Sequence, residues 1–555
     1  MKKYLLNIIF VAIALYACNS AYAQTLPKNF KISPSIKLNK TQAVSDNKIV
    51  FGSPVRSVVT ASNIISNFIS DIIVVGDTIW FGTGKGVCKT YDNGNNFMNY
   101  YGSAPFGTDD VAGIAVYNNW VVVSTAVSQT INGADVPTGT GIKVSSDYGN
   151  TWNAYPQPME PDTSQHTIIY GNNTIYALPI VVPEDNLSYD ISITRKNLTT
   201  DSIVIWIASW AGEFRKSIDN GRTFSRVLLP PDNLDSIYPG GTYNFQYNPR
   251  DPSNGGNDNH KGFSVCSEND STIYVGTANG INKSTDWGIS WRKYSYKNTG
   301  LGSGISGDFV VALKPQKYGG KSIIWGATNI GDNINGEGQF AAVSYTTNQG
   351  ANWANTLKDD AVFSHNFGFK DSVVYVATDN GIWRSYFAPG NFGWSSPSVI
   401  YDEELRDQIH TTFFYSAGAQ SDSVWVGSGD GLCRTVDSSF SPWVNKWKIF
   451  RAVHALSSTT DTYAAPNPFQ PNLEVCRIFF KTGKAGANVT VKIFDFGMNY
   501  VRTVLQNAQR SETNVIWTTW DGRRDDGMQV ANGVYFYRIE IDKQTVSWGK
   551  ILVLQ

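Results

Sequence analysis

Short apolar runs rich in β-branched and aromatic residues alternate with glycine-centred polar turns along most of the chain, as in Ile273-Tyr274-Val275 before Gly276-Thr277-Ala278-Asn279-Gly280. The same phrase recurs as Val374-Tyr375-Val376 leading to Gly381 and as Val424-Trp425-Val426 leading to Gly431. This texture predicts short strands joined by hairpins, in an all-β chain, rather than long amphipathic helices. In one representative unit the predicted strands are Val111 to Val116, Trp120 to Thr125, Gly141 to Ser145 and Thr151 to Tyr155, with a long loop over Ala126 to Thr140. A further stretch, Thr167 to Pro183, precedes the first strand of the next unit. Such insertions are where a rigid scaffold varies its function.

One octapeptide, Ser/Thr-x-Asp-x-Gly-x-x-Trp/Phe, punctuates that texture. It runs over Thr90 to Phe97 with Asp92 and Gly94, Ser145 to Trp152 with Asp147 and Gly149, Ser217 to Phe224 with Asp219 and Gly221, and Ser284 to Trp291 with Asp286 and Gly288. A fifth copy, Thr346 to Trp353, has Asn348 in place of the acid and keeps Gly350. The strand and glycine turn that precede each copy locate two degraded ones, at Arg384-Ser385 and Arg434-Thr435, which makes seven units. The pattern is that of a hairpin turn whose Asp accepts backbone N–H bonds, whose Gly takes a dihedral other residues avoid, and whose aromatic enters the core. Seven units of about four short strands each predict a seven-bladed β-propeller over residues 60–455.

The octapeptides resemble the Asp-box repeats of sialidases, sortilin-type receptors and xyloglucanase-like glycoside hydrolases. The resemblance implies that the boxes lie opposite the functional surface, so Asp92, Asp147, Asp219 and Asp286 are expected to be structural rather than catalytic. It leaves function open between recognition and hydrolysis.

Composition shifts after the Ser/Thr-rich joint at 456–462, and residues 463–555 read as a small β-sandwich with strands at Arg477 to Thr482, Val489 to Phe494, Asn514 to Trp520, Val534 to Ile541 and Lys550 to Leu554. Ala465-Pro466-Asn467-Pro468-Phe469, Val491 to Asp495, Trp520-Asp521-Gly522-Arg523 and Asn532 to Arg538 resemble the immunoglobulin-like domain of flagellar hook-capping proteins and the C-terminal sorting domains of the type IX secretion system. That resemblance implies a secretion machinery as partner and a role in export or attachment.

The N-terminus reads as a secretory leader, 1–23: Lys2 and Lys3, an apolar run, then Ala21-Tyr22-Ala23. Residues 24–59 would then link it to the repeats. The alternative is a lipoprotein box ending at Cys18, which would leave an acylated, membrane-attached chain. Either places the protein outside the cell or on its outer surface. Cys88, Cys266, Cys433 and Cys476 show no CxxC pairing and are expected to be buried small hydrophobes. A net charge of −1 without a basic cluster gives no footprint for nucleic acid, and no cofactor or metal motif is present.

Candidate chemistry is sparse. A sialidase-like Arg-Ile-Pro entry is missing, Asn248-Pro249-Arg250-Asp251-Pro252 being the nearest segment, and His166, His260, His365, His410 and His454 form no HExxH. Asp110, Asp190, Asp308 and Asp407 recur near the start of predicted first strands, where they would ring the mouth of a central channel. Two of them facing each other would serve a xyloglucanase-like hydrolase; a turn or capping role is the plainer reading. Trp210 and Glu213, in a turn on the same predicted face, could join a ligand site, although a surface glutamate is the blander expectation. Lys89, Lys216, Lys283, Arg384 and Arg434 each precede a box and suggest blade-to-blade pairing or solvated faces. The balance favours a non-catalytic module for extracellular glycan or protein, with a glycoside hydrolase as the alternative.

Overall fold

The computed structural model describes residues 59–555 apart from 62, 103, 162–166, 197–201, 249–257, 332–337, 359–362, 406, 439–442, 444–445, 455, 473 and 511–514. The leader, Cys18, residues 24–58, His166 and Pro249 to Pro252 lie outside the described residues. Among the described residues every element is a strand except a 3-10 turn, Asp258–His260, and no helix is long and apolar enough to cross a membrane. The chain divides into two compact units, one running to Ile400 and resuming over Phe413–Lys448, the other formed by Tyr401–Thr412 and Ile449–Gln555.

The first unit contains, in sequence order, antiparallel sheets that begin with Ile69–Val75, Asp110–Tyr117, Ser188–Arg195, Gly262–Ser267, Phe309–Tyr318, Ser364–Lys370 and Phe414–Gln420. Each first strand hairpins to a second, and the second to a third. In the first five sheets a fourth strand follows the octapeptide: Phe97–Tyr100, Asn153–Tyr155, Ser225–Arg226, Trp291–Tyr294 and Ala354–Thr356. In the sixth it shrinks to a single bridge between Arg384 and Ser395. The first strands adjoin one another in order, and the last adjoins the first, so the sheets close into a ring. Meandering sheets arranged this way make a β-propeller.

The octapeptide turns are superimposable in their hydrogen bonds. In the second sheet Ser145 Oγ donates to Asp147 Oδ1 at 2.8 Å and accepts from Gly149 N at 2.8 Å, while Asp147 Oδ1 accepts from Thr151 N at 2.8 Å. Thr90/Asp92/Gly94, Ser217/Asp219/Gly221, Ser284/Asp286/Gly288 and Thr346/Asn348/Gly350 repeat the knot. Asn348 keeps it because one oxygen accepts both bonds. Each knot holds two consecutive left-handed residues, such as Tyr148 at φ 61° and Gly149 at φ 84°. A Cβ on Gly149 would sit 2.6 Å from the Trp80 ring, so glycine is required there.

The cations ahead of these turns join neighbouring sheets. Lys89 Nζ donates to the Tyr148 carbonyl at 2.8 Å, Lys216 to that of Trp287 at 3.0 Å, Lys283 to that of Gln349 at 2.7 Å, and Arg434 to that of Asn93. In each case the acceptor is the left-handed residue of the next sheet's turn. The same cations lie over Trp80, Trp206, Tyr274 and Trp425 of their own second strands, which offsets part of their desolvation. Arg384 instead donates to Asp437 at 2.6 Å in the following sheet.

Two expectations change. The segment Ala126 to Thr140 is not a loop: the second sheet's middle strands run on as Trp120–Ile131 and Ala134–Ser145, paired to their tip. Asn132 and Gly133, both left-handed, form the two-residue turn that matches strand twist, and the flanking Val, Thr and Ile residues suit a ribbon. The inserted stretch Thr167 to Pro183 contains a hairpin, Thr167–Tyr170 with Asn173–Ala177, joined by the parallel strand Gln246–Tyr247.

The second unit has a three-stranded sheet, Tyr463–Ala465, Cys476–Lys481 and Val515–Trp520, and a four-stranded sheet ordered Tyr500–Arg510, Ala487–Phe494, Gly533–Ile541, Gln544–Val553. Ile478, Phe480, Val491, Ile493, Trp520, Tyr537, Ile539 and Ile551 fill the core between them. The strand Tyr500–Arg510 was not expected from the sequence, since an edge strand ending in Gln506, Asn507, Gln509 and Arg510 buries too little to show alternation.

Asp147→Ala is expected to lower the unfolding free energy by about 1–3 kcal/mol, because it leaves several donors of the turn without their acceptor. Lys216→Met should cost less, about 0.5–1.5 kcal/mol, by freeing only the Trp287 carbonyl. Denaturant midpoints of the two variants check the order.

Candidate functional site

The first strands share a feature that places the candidate carboxylates. In each of them the register slips by one residue, at Ser70, Ala112, Tyr189, Phe263, Val311, His365 and Tyr415. A bulge turns the strand and re-aims the side chains after it. Asp190 follows its bulge directly, and its carboxylate accepts from Ile191 N and, in the next sheet, from Val265 N, both at 3.0 Å. Asp71, at the matching place in the first sheet, accepts from Asn366 Nδ2 of the sixth at 2.8 Å.

Asp110, Asp308 and Asp407 occupy other places. Asp110 opens its strand and is buried near Lys85. Asp308 precedes its strand, accepting from Tyr296 N at 2.7 Å and from Gln339 Nε2 at 2.9 Å. Asp407 is not on the seventh first strand at all. It lies in the second unit on a ribbon of Tyr401–Asp402 and Asp407–Gln408, buried against Arg451, with Arg477 at 3.7 Å. The residues that looked equivalent therefore sit at different offsets from the bulge, Asp110 and Asp308 before it and Asp190 after it.

The bulges feed an arc of rings. Tyr189 meets Phe263 at 5.7 Å between centroids, Phe263 meets Phe309 at 4.8 Å, and the series continues through Phe363, His365 and Tyr415 to Phe68. Trp210 packs half-buried on the core that includes Tyr189 and Phe263, and its indole N–H has no hydrogen-bond partner among the described residues. His365 Nε2 stands 2.5 Å from Asp379 Oδ1. The arc escaped sequence reading because its members are far apart in the chain.

Glu213 is not a surface residue: it is fully buried. It opens the third strand of the third sheet, Glu213–Ser217, at a left-handed φ of 62°. Its Oε2 lies 3.4 Å from Arg226 Nη1, but Arg226 is already held by Glu160, through Nε at 2.7 Å and through Nη2, and by the Leu178 carbonyl. Arg215 donates Nε to the Gly212 carbonyl at 2.8 Å and approaches Glu160 at 3.5 Å. Tyr247 and His260 lie nearby, their rings tilted at 49° with centroids 3.8 Å apart. Both Glu213 oxygens, Tyr247 Oη and both His260 ring nitrogens lack a hydrogen-bond partner among the described residues.

The electrostatics follow from burial. Desolvation pushes the Glu213 carboxyl up to about 8 against the pull of Arg226 and Arg215. Desolvation also works on Glu160, but the Arg226 hydrogen bond and the Arg215 charge hold it below its ordinary value. Burial drives His260 down to about 3, leaving it neutral. The cluster thus offers one buried acid, neutral near pH 7, beside two arginines that share one ionised partner. Cys88, Cys266, Cys433 and Cys476 are buried free thiols elsewhere.

No protein-family model and no curated protein sequence matches the chain. Solved structures give distant likenesses. A structure of PorZ, an essential surface component of the type-IX secretion system of Porphyromonas gingivalis, is 14% identical with a TM-score of 0.38, the match covering 88% of this chain and 66% of that one. AFV00434, an ancestral GH74 enzyme, is 12% identical with a TM-score of 0.44, covering 88% and 62%. YCF48 bound to D1 peptide is 11% identical with a TM-score of 0.39, covering 70% and 99%. The chain thus spans a little under two thirds of the PorZ and GH74 structures.

Because the folded chain raises the Glu213 pKa above its ordinary 4.5, its contribution to stability is fully present below that value and is lost as pH rises through about 8. Denaturant unfolding should therefore show stability falling between these limits by a few kcal/mol, and Glu213→Gln should flatten that slope.

Proposed function

We propose that the first unit is a seven-bladed Asp-box β-propeller acting outside the cell as a non-catalytic recognition module for glycan or protein. In the same reading residues 1–23 are a secretory leader, with acylation at Cys18 as its alternative, and the second unit is an immunoglobulin-like domain of the hook-capping and type IX sorting kind that serves export or attachment. The octapeptide knots and the closed order of the sheets support the architecture.

One observation carries the functional choice. A glycoside hydrolase needs two carboxyl groups facing each other across an open cleft, about 5–10 Å apart. Asp190 and Asp308 are engaged by backbone and amide donors, Asp407 by arginine, and Glu213 is sealed beneath Arg226. These carboxylates tie the fold together, and recognition asks nothing of them beyond that.

A joint screen of the mature chain on a glycan array and on a panel of polysaccharides tests the reading. Retention without product release is the expected result. Turnover abolished by a single carboxylate substitution would replace it with the hydrolase.

A further inference from the structure

The inserted hairpin is fastened to the outer rim of the fourth sheet by specific bonds. Tyr170 Oη donates to the Ile289 carbonyl at 2.8 Å, on that sheet's octapeptide turn. Asn173 Nδ2 donates to the Gly241 carbonyl at 2.8 Å and its Oδ1 accepts from Tyr243 N at 2.9 Å. The Tyr170 and Tyr243 rings lie 6.1 Å apart, those of Tyr243 and Tyr238 6.4 Å apart, and Tyr243 Oη accepts from Tyr238 N at 2.9 Å. The hairpin, the edge strand Ser236–Ile237 that pairs with Trp291–Tyr294, and the turn therefore form one continuous surface.

That surface is apolar and exposed where the other copies are polar. Trp287 and Ile289 are 52% and 48% exposed, Tyr238 is 55% and Ile169 71%. At the Trp287 position the other turns carry Asn93, Tyr148, Asn220 and Gln349, and at the Ile289 position Asn95, Asn150, Arg222 and Ala351. Trp287 is also held at a left-handed φ of 58°, a conformation that suits Asn or Gly and is costly for a bulky side chain. A half-exposed tryptophan kept in such a turn leaves about half of its surface open to a ligand.

The hairpin and the rim segment carry no charge, and Asp286 in the turn is taken up by Ser284, Ile289 and Ser290. Residues 167–182 and 236–247 contain no Asp, Glu, Lys or Arg, while they supply Tyr170, Tyr176, Tyr238 and Tyr243 together with the exposed Asn172 and Asn244. Lys216 is engaged by the Trp287 carbonyl, and Arg292, opposite Ser236, lies over the Tyr294 ring. A polyanion or polycation would find little unpaired charge here. Flat rings that stack, flanked by amides that both donate and accept, suit an uncharged, hydroxyl-rich chain.

Resting on the recognition reading above, we propose that the rim formed by the inserted hairpin, Tyr238 and the Trp287 turn is a binding site for a neutral polysaccharide. Trp287 and Tyr238 present stacking faces to sugar rings, and Asn172 and Asn244 meet the hydroxyls.

The test is affinity electrophoresis of the full chain through gels containing a neutral glucan or mannan, with alginate as the acidic control, for the native protein and two variants. Trp287→Asn places there the residue that two of the other turns carry, Asn93 and Asn220, so the turn is kept, and Tyr238→Ala removes the second ring. Retardation by a neutral polymer that weakens about tenfold in each variant, with unchanged thermal unfolding, is the expected result. Neutral-polymer binding that neither variant alters overturns this site while leaving the recognition reading intact. Retardation by alginate alone, or by neither polymer, overturns the neutral-polysaccharide assignment. Cleavage of the polymer overturns the recognition reading itself.

Discussion

The ring depends on a carbonyl group. Two successive left-handed residues in each octapeptide turn point the oxygen of the first away from its own hairpin, where no strand can take it up. A backbone acceptor left that way forgoes a hydrogen bond, and at four of the joints the cation of the preceding sheet meets it: Lys89 at Tyr148, Lys216 at Trp287, Lys283 at Gln349, Arg434 at Asn93. The knot of Ser or Thr, Asp and Gly keeps that oxygen in place. The conserved geometry of the turn and the seating of neighbouring sheets are thus one interaction seen from two sides.

That dependence explains what the chain disclosed and what it withheld. The repeat of turn residues follows from local backbone needs, so it is written locally, and strands, units and the pairing role of Lys89 or Arg384 can be read from it. The ribbon over Ala126 to Thr140 was legible too, through Asn132-Gly133, but its Thr and Ser content read as loop. The offset of each aspartate from its bulge was not legible, since a one-residue register slip leaves no mark in a hydrophobic pattern and moves a carboxylate from a channel mouth to a neighbouring backbone. Asp407 went furthest astray because its partners, Arg451 and Arg477, lie in the second unit.

Glu213 shows the limit most sharply. Its companions come from residues 160, 215, 226, 247 and 260, carried together by two insertions and one sheet. No spacing rule joins them. The only local hint is that Glu213 and Arg215 flank the core residue Phe214 in alternation, which is the signature of a polar pair sharing one face. The same two insertions bring the uncharged rim to the fourth sheet, so the segments that depart from the repeat account for both unusual environments.

The closure of the ring has a kinetic side. Every other joint is between sheets adjacent in sequence, so its contacts form with short loops and little entropic cost. The joint between the seventh and first sheets pairs Ser416 with Ile69 and Arg434 with Asn93, separations of 347 and 341 residues. Assembly can advance sheet by sheet from either end, and closing this seam carries the largest loop-entropy cost of the joints. The molecule is a band closed by one clasp, whose halves meet only when the two ends of the first unit are brought together.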